Sequence, residues 1–387
     1  MPEVHIIGAG ETKFGELWDK SLRELAVEAG LKAIEDAGIL SKDVGILYGS
    51  SSLAGTLNWQ NDMGSLLADF SGIAASGIPA VRIESSTSSG ASAVREAYLS
   101  IKSGEYEVAM VGGVEKMTDI YGSEIHDIVS TTLDREWEAF FGATAASMAA
   151  ISARKYMKDF KVEKEALSMI SVNDHANASL NPNAHYRNKI TLDAAMNATL
   201  VAEPLNLMDC SPVSDGASAL ILASDKFAKS IGKDGIRIKG SAIAQDYLAL
   251  HSRESIYTLK STIQAARQAF EKSGTKASDI SFAEIHDSYS IYGLMELEDL
   301  GFAPKGKAKD LVMENIGLNA PLPVNPSGGL KAKGNPMGAT GVGQIVEGYL
   351  QIKGKAGERQ IKNAHDGLFH SMSGSGSTSV VHIIGSE

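Results

Sequence analysis

His286 is followed at once by Asp287, and this pair is the first candidate for acid–base chemistry. An imidazole titrates near neutral pH, so it can take or give a proton, and a neighbouring carboxylate can fix which ring nitrogen carries it. The plainer reading is a hydrogen-bonded histidine at a strand end. Tyr289 and Tyr292 stand close behind, with phenols to offer or a half-buried helix face to pack. The one thiol, Cys210, lies apart from them and reads as a buried, inert side chain. Gly328-Gly329 and Gly338-Ala339-Thr340-Gly341 are places where a backbone can come close to a ligand that side chains would block. Val4-His5-Ile6-Ile7-Gly8-Ala9-Gly10 begins like a dinucleotide-binding turn, but Lys13 stands where the third glycine is needed. We read it as a tight strand-to-loop turn and exclude a nicotinamide cofactor.

The elements that must position these groups are legible through an internal repeat. Residues 33–44 (AIEDAGILSKDV) and 269–280 (AFEKSGTKASDI) share Ala, a large apolar residue, Glu, a small residue and Gly, then Asp five residues on and a β-branched residue. Helical stretches precede them, Leu22 to Ile34 and Thr262 to Phe270, with Gly38 and Gly274 placed to end each helix in the left-handed conformation. Strands are predicted to follow at 44–48 and 280–285. Two copies of one α/β unit account for this. Further strands are predicted at 108–113, 220–223, 236–238 and 379–385, the last as the counterpart of 108–113. Alternating strands and helices predict an α/β architecture. Residues 116–200 differ, with a long helix predicted from Thr144 to Asp159 and no strong strand run; they read as an inserted cap near the substrate. The expected division is an N-terminal half over 1–115, completed by about 201–235, a cap or loop region over 116–200, and a C-terminal half over 236–387.

Composition narrows the partners. The 387 residues are too many for one ordinary core, which fits two halves. Lys and Arg number 36 against 47 Asp and Glu, a net charge of -11, so neither nucleic acid nor an anionic membrane is an expected partner. An anionic small molecule needs only a local basic patch. A single cysteine excludes an intrachain disulfide and a cysteine-based zinc site, and no metal is expected; with no signal-like start and no apolar span, the expected location is the cytoplasm.

Four segments, taken in order, resemble the thiolase superfamily, most closely archaeal and sterol-carrier-type thiolases. They are Ile83 to Gly90 (IESSTSSG), Glu284 to Tyr289 (EIHDSY), Asn325 to Gly341 (NPSGGLKAKGNPMGATG) and His370 to Gly376 (HSMSGSG). Val111 to Met117 and Asp209 to Ala217 add to the likeness. The resemblance implies a thiolase fold, two similar α/β halves in five layers αβαβα, and acyl-CoA thioesters as substrate. Coenzyme A would then be part of the substrate, with no permanently bound cofactor. It also implies a homodimer or dimer of dimers, and association with a zinc-ribbon/OB-fold protein or a 3-hydroxy-3-methylglutaryl-CoA synthase. Ser327, Gly328, Gly329, Gly338, Ala339, Ser373 and Gly374 match positions that approach substrate.

The resemblance breaks at the chemistry. Thiolases use a cysteine nucleophile, a Gly-His-Pro histidine to activate it and a second cysteine to move the proton. Here those positions are Thr87, Asn335, and Ser371 or Ser288, and only His286 keeps its type. A hydroxyl ionises far above a thiol and needs a strong base beside it, which an amide is not. Asn335 could still donate to an oxyanion, or simply serve the turn before Pro336. In side-chain aldolases that resemble this superfamily, tyrosines take over as acid and base, so Tyr289 and Tyr292 are further candidates. Three functions follow: acyl-CoA carbon–carbon chemistry of Claisen or retro-aldol type without a cysteine acyl-enzyme, a catalytically silent acyl-CoA-binding subunit of an assembly, or a conventional acyltransferase using Thr87.

Overall fold

The computed structural model describes residues 1–120 and 122–386. Its first strands are β1 (Val4–Glu11), β2 (Ile46–Ser50), β3 (Ala80–Ile83) and β4 (Val108–Glu115), interleaved with α1 (Leu22–Ala37), α2 (Ala54–Leu57), α3 (Met63–Phe70) and α4 (Ser89–Lys102). Helices α5 (Glu124–Val129), α6 (Ala145–Phe160), α7 (Lys164–Ala178) and α8 (Leu192–Met196) follow, then a short hairpin of β5 (Leu200–Ala202) and β6 (Leu205–Asn206). The rest is β7 (Gly216–Ser224), α9 (Asp225–Ser230), β8 (Ile236–Gln245), α10 (Lys260–Ser273), β9 (Phe282–Glu284), α11 (Ser290–Asp299), α12 (Ala308–Glu314), α13 (Met337–Ile352), β10 (Asp366–Met372) and β11 (Thr378–Gly385).

Nine strands run in the order β3-β2-β4-β7-β1-β8-β11-β10-β9. Two residue pairs, His5 with Arg237 and Ile6 with Ile236, are all that join β1 to β8, so the sheet is two half-sheets meeting at an edge. Each half repeats the same rule. From the junction outward come two antiparallel pairings and then a parallel one, β1-β7-β4-β2 and β8-β11-β10-β9. By position, β11 therefore corresponds to β7, and β4 corresponds to β10. This corrects the expected match of 379–385 with 108–113: both are short apolar runs, but strand order is set by distant pairing, which local composition does not encode.

Helix α1 lies on one half-sheet, α10 on the other, and α4 with α13 fill the space between them. The three largest apolar clusters among the described residues lie under α1, around α10 and α11, and in the middle, where Val4, Ala93, Val342 and Phe369 unite. The expected layers, helix, sheet, helix, sheet, helix, are present. Gly38 (φ 68°) and Gly274 (φ 71°) end α1 and α10 as left-handed caps. Thr144 caps α6, accepting from Ser147 N while Ser147 reaches back to Thr144 N, so the helix starts where the sequence predicts.

The Gly8-Ala9-Gly10 segment is corrected as well. It lies inside β1 and makes no turn; a Cβ at Gly8 would collide with Ala33 O and one at Gly10 with Ala29 O. The glycines let α1 settle directly onto the strand.

Candidate active site

His286 stands just past the end of β9, almost wholly buried. Its main-chain N–H donates to Glu296 Oε2 at 2.7 Å, and its Nδ1 lies 3.4 Å from Ser371 Oγ. Nε2 has no hydrogen-bond partner among the described residues. Burial, with His370 nearby, pushes the ring's pKa down to about 3, so the imidazole is uncharged at neutral pH. Asp287 does not orient this ring, contrary to expectation. Its Oδ1 accepts from Leu330 N at 2.9 Å, and its neighbour is Asp174. Burial raises both carboxyls of that pair, and the charge of Asp287 adds to it at Asp174, which lies well above its usual range, so the two hold a proton between them.

Thr87 sits at the start of α4, turned into place by Ser86, whose φ of 50° is unusual for a residue with a side chain. Its Oγ1 donates to Met372 O at 2.6 Å and accepts from Gly374 N at 3.1 Å. No imidazole, carboxylate or amine bonds to it among the described residues. Asn335 stands two residues ahead of α13. Its Nδ2 donates to Ser211 Oγ (3.2 Å) and its Oδ1 accepts from Thr340 Oγ1 (2.9 Å). Ser288, close to His286 in the chain, accepts at its carbonyl from Ser211 N at 2.9 Å. The five candidates Thr87, His286, Ser288, Asn335 and Ser371 are thus brought to one place, where the starts of α4 and α13 meet the ends of β9 and β10.

The residues matched to substrate approach fare differently. Ser327 gives both its N–H and its hydroxyl to Glu284, each at 2.8 Å. A Cβ on Gly328 would meet Ala178 Cβ at 2.5 Å, and one on Gly329 would meet Asp174 Oδ1 at 2.6 Å, so these glycines make room for α7. A Cβ on Gly338 would meet Ser51 Cα at 2.5 Å, and Ala339 is fully buried. What approaches these five residues is the protein itself. Ser373, bonded to Ser377 at 2.9 Å, and Gly374, at φ 51°, do lie beside Thr87 in the turn between β10 and β11. Tyr292 is packed in the core near Ser375 and Arg253, and burial raises its phenol to about 12. Burial likewise raises Tyr289, which caps α11 with its ring edge-on to Tyr292 at 5.7 Å. Burial pushes the half-buried Cys210 thiol up to about 12, which makes it unreactive.

Several buried polar residues escaped the sequence reading. Glu115, at the end of β4, accepts from Ser51 Oγ, Ser52 N, Leu53 N and Gly338 N, pinning the start of α13 to the first half. Burial still raises its pKa. Glu296 and Gln344 reach His286, Ile285 and His370 from helices. A polar residue in a helix looks solvent-facing when read alone, so only the adjacency of His370 to Ser371 offered any signal.

Two α/β copies packed across paired central helices, with polar groups collected where helix starts meet strand ends, define a thiolase-fold protein. The thiolase N-terminal domain family model matches residues 4–226, and the thiolase C-terminal domain-like model matches residues 242–386. The chain belongs to the thiolase family. It is 42% identical over 384 residues to an acetyl-CoA acetyltransferase of Methanothermobacter thermautotrophicus, covering 99% of each chain. It is 30% identical over 391 residues to sterol carrier protein 2 of Gallus gallus, covering 95% of this chain and 69% of that one. A solved structure described as Ltp2-ChsH2(DUF35) aldolase superposes with a TM-score of 0.84 at 26% identity, covering 99% of this chain and 98% of that one. The acetyl-CoA acetyltransferase from Syntrophomonas wolfei superposes at 0.76 with 15% identity over the full length of both, a likeness of fold alone.

Proposed function

We propose that this chain is an enzyme that acts on acyl-CoA thioesters through carbon–carbon chemistry of Claisen or retro-aldol type, without a covalent acyl-enzyme. One observation carries the reading: the Thr87 hydroxyl is held between a carbonyl and an N–H with no base hydrogen-bonded to it among the described residues, while His286 keeps an uncharged ring whose Nε2 has no partner there. A ring that resists protonation until pH about 3 is a poor base and a good neutral donor. With its N–H at Nε2, His286 meets the thioester oxygen as negative charge builds there and the α-carbon becomes an enolate. Tyr289, kept protonated by burial, is suited to donate a hydrogen bond.

A second reading, a catalytically silent acyl-CoA-binding subunit, draws on Asn335, whose amide is already satisfied by Thr340 and Ser211 and is not poised for a substrate. For either reading, a protein partner is supported by the neighbour whose description joins ChsH2(DUF35) to an aldolase. The deciding experiment offers the purified chain a panel of acyl-CoAs and 3-hydroxyacyl-CoAs. Free CoA, products and intact protein mass are followed, with binding by calorimetry. Turnover with no mass added to the chain supports noncovalent chemistry. An acyl adduct on Thr87 overturns it in favour of a conventional acyltransferase, and binding without turnover points to the silent subunit.

A further inference from the structure

Strands β9 and β10 are parallel, and their last registered pair is Glu284 with Phe369. His286 and Ser371, the two side chains that face each other at 3.4 Å, both lie beyond that point. Two residues from helices bridge the gap the backbone leaves. From α13, Gln344 Nε2 donates to Ile285 O at 3.1 Å and to His370 O at 3.0 Å, one carbonyl on each chain end. From α11, Glu296 Oε2 accepts the His286 N–H at 2.7 Å and lies 3.2 Å from His370 Nδ1. Thr262 Oγ1, 3.0 Å from His370 Nε2, fixes the other edge of that ring. All of these side chains are buried.

We infer that Glu296 and Gln344 are positioning residues that continue the pairing of β9 with β10 past its last backbone register and so hold His286 against Ser371. The inference rests on His286 being the group that meets the thioester oxygen. Neither residue touches the reacting atoms; both act through where they place His286. Burial, with Asp287 nearby, holds Glu296 well above the carboxylate range, so it is the uncharged acid that accepts the His286 N–H and packs against His370 Nδ1. An amide offers the same acceptor and, like the uncharged acid, a donor, which makes glutamine the conservative replacement.

The test compares Glu296→Gln, Glu296→Leu and Gln344→Leu in the full chain, with His286→Ala used to assign the His286 ring signals in 15N-histidine NMR. The two leucine variants are expected to move those signals away from wild type and to lower kcat about 10- to 100-fold. KM should stay within about twofold, because binding groups are untouched. Glu296→Gln should restore both. Wild-type ring signals in a folded leucine variant would overturn the inference, as would a Glu296→Gln variant that behaves like Glu296→Leu. Should one leucine variant fail to fold, the other and the glutamine variant still decide. Should the chain turn over no acyl-CoA, the functional reading fails, while the ring signals still report on positioning.

Discussion

A neutral imidazole and an immobilised hydroxyl divide the chemistry at the scale of single residues. Removing one preorganised donor from a developing oxyanion typically costs about 100- to 1000-fold in kcat, and His286→Ala should fall in that range in steady-state assays. A variant with near-normal kcat would move the role elsewhere. Glu284 gives a separate prediction. Burial, with Glu347 near, raises its carboxyl to about 8 in the folded chain. The folded state therefore keeps a proton that the unfolded state sheds above its ordinary value near ~4.3. This stability is complete below that value and drains away as pH rises toward 8, by at most about 1.4 kcal/mol per pH unit. His286 and His370, both lowered to about 3, act in the opposite sense: their share is complete above about pH 6.5 and is lost on acidification toward 3. Chemical denaturation of Glu284→Gln across pH 5 to 8 should show a shallower decline on the alkaline side than wild type. An unchanged decline would place the titration in another group.

Elements explain why some of this was readable in advance. Gly38 and Gly274 announce their helix ends because a left-handed cap is a local demand that glycine alone meets without strain. The motif order pointed to Thr87, His286, Ser288, Asn335 and Ser371, and the fold sets Ser371 against His286 and ties Asn335 to Ser288 through Ser211. Glycine spacing was less informative: it says that something comes close and leaves open what. At Gly328, Gly329 and Gly338 the visitor is protein, and at Gly8 and Gly10 it is α1. Glu296 and Gln344 were illegible because their partners are main-chain groups far along the chain. The central helices make the glycine argument testable. A Cβ at Gly341 would stand 2.5 Å from Ala91 N, and one at Gly90 would stand 2.8 Å from Gly338 O. Gly341→Ala should destabilise the chain by about 1–3 kcal/mol in a denaturant titration, since neither helix backbone can give way. A neutral result would mean that α4 and α13 can slide apart.

For the whole molecule, the two rims of the sheet differ. At the β9 rim, Val324 bridges Ala283 and Asn325 N donates to Ala283 O, which closes that edge. At the other rim, β3 pairs only with β2, and Val81 is exposed. An open edge invites another strand, and a second copy offering its own β3 would satisfy both. Light scattering should return at least twice the 40.8 kDa chain mass; a monomer would sink this expectation. No helix of the described residues is long and apolar enough to cross a membrane.

The touch between Gly90 and the Gly338–Gly341 turn reaches beyond stability. Duplication ordinarily frees one copy to wander while the other keeps working. Here the copies meet backbone to backbone at the very helices that follow Thr87 and Asn335, so neither copy can accept a bulkier residue at the seam unless the other yields. Innovation is pushed outward, to side chains away from the seam between the two halves.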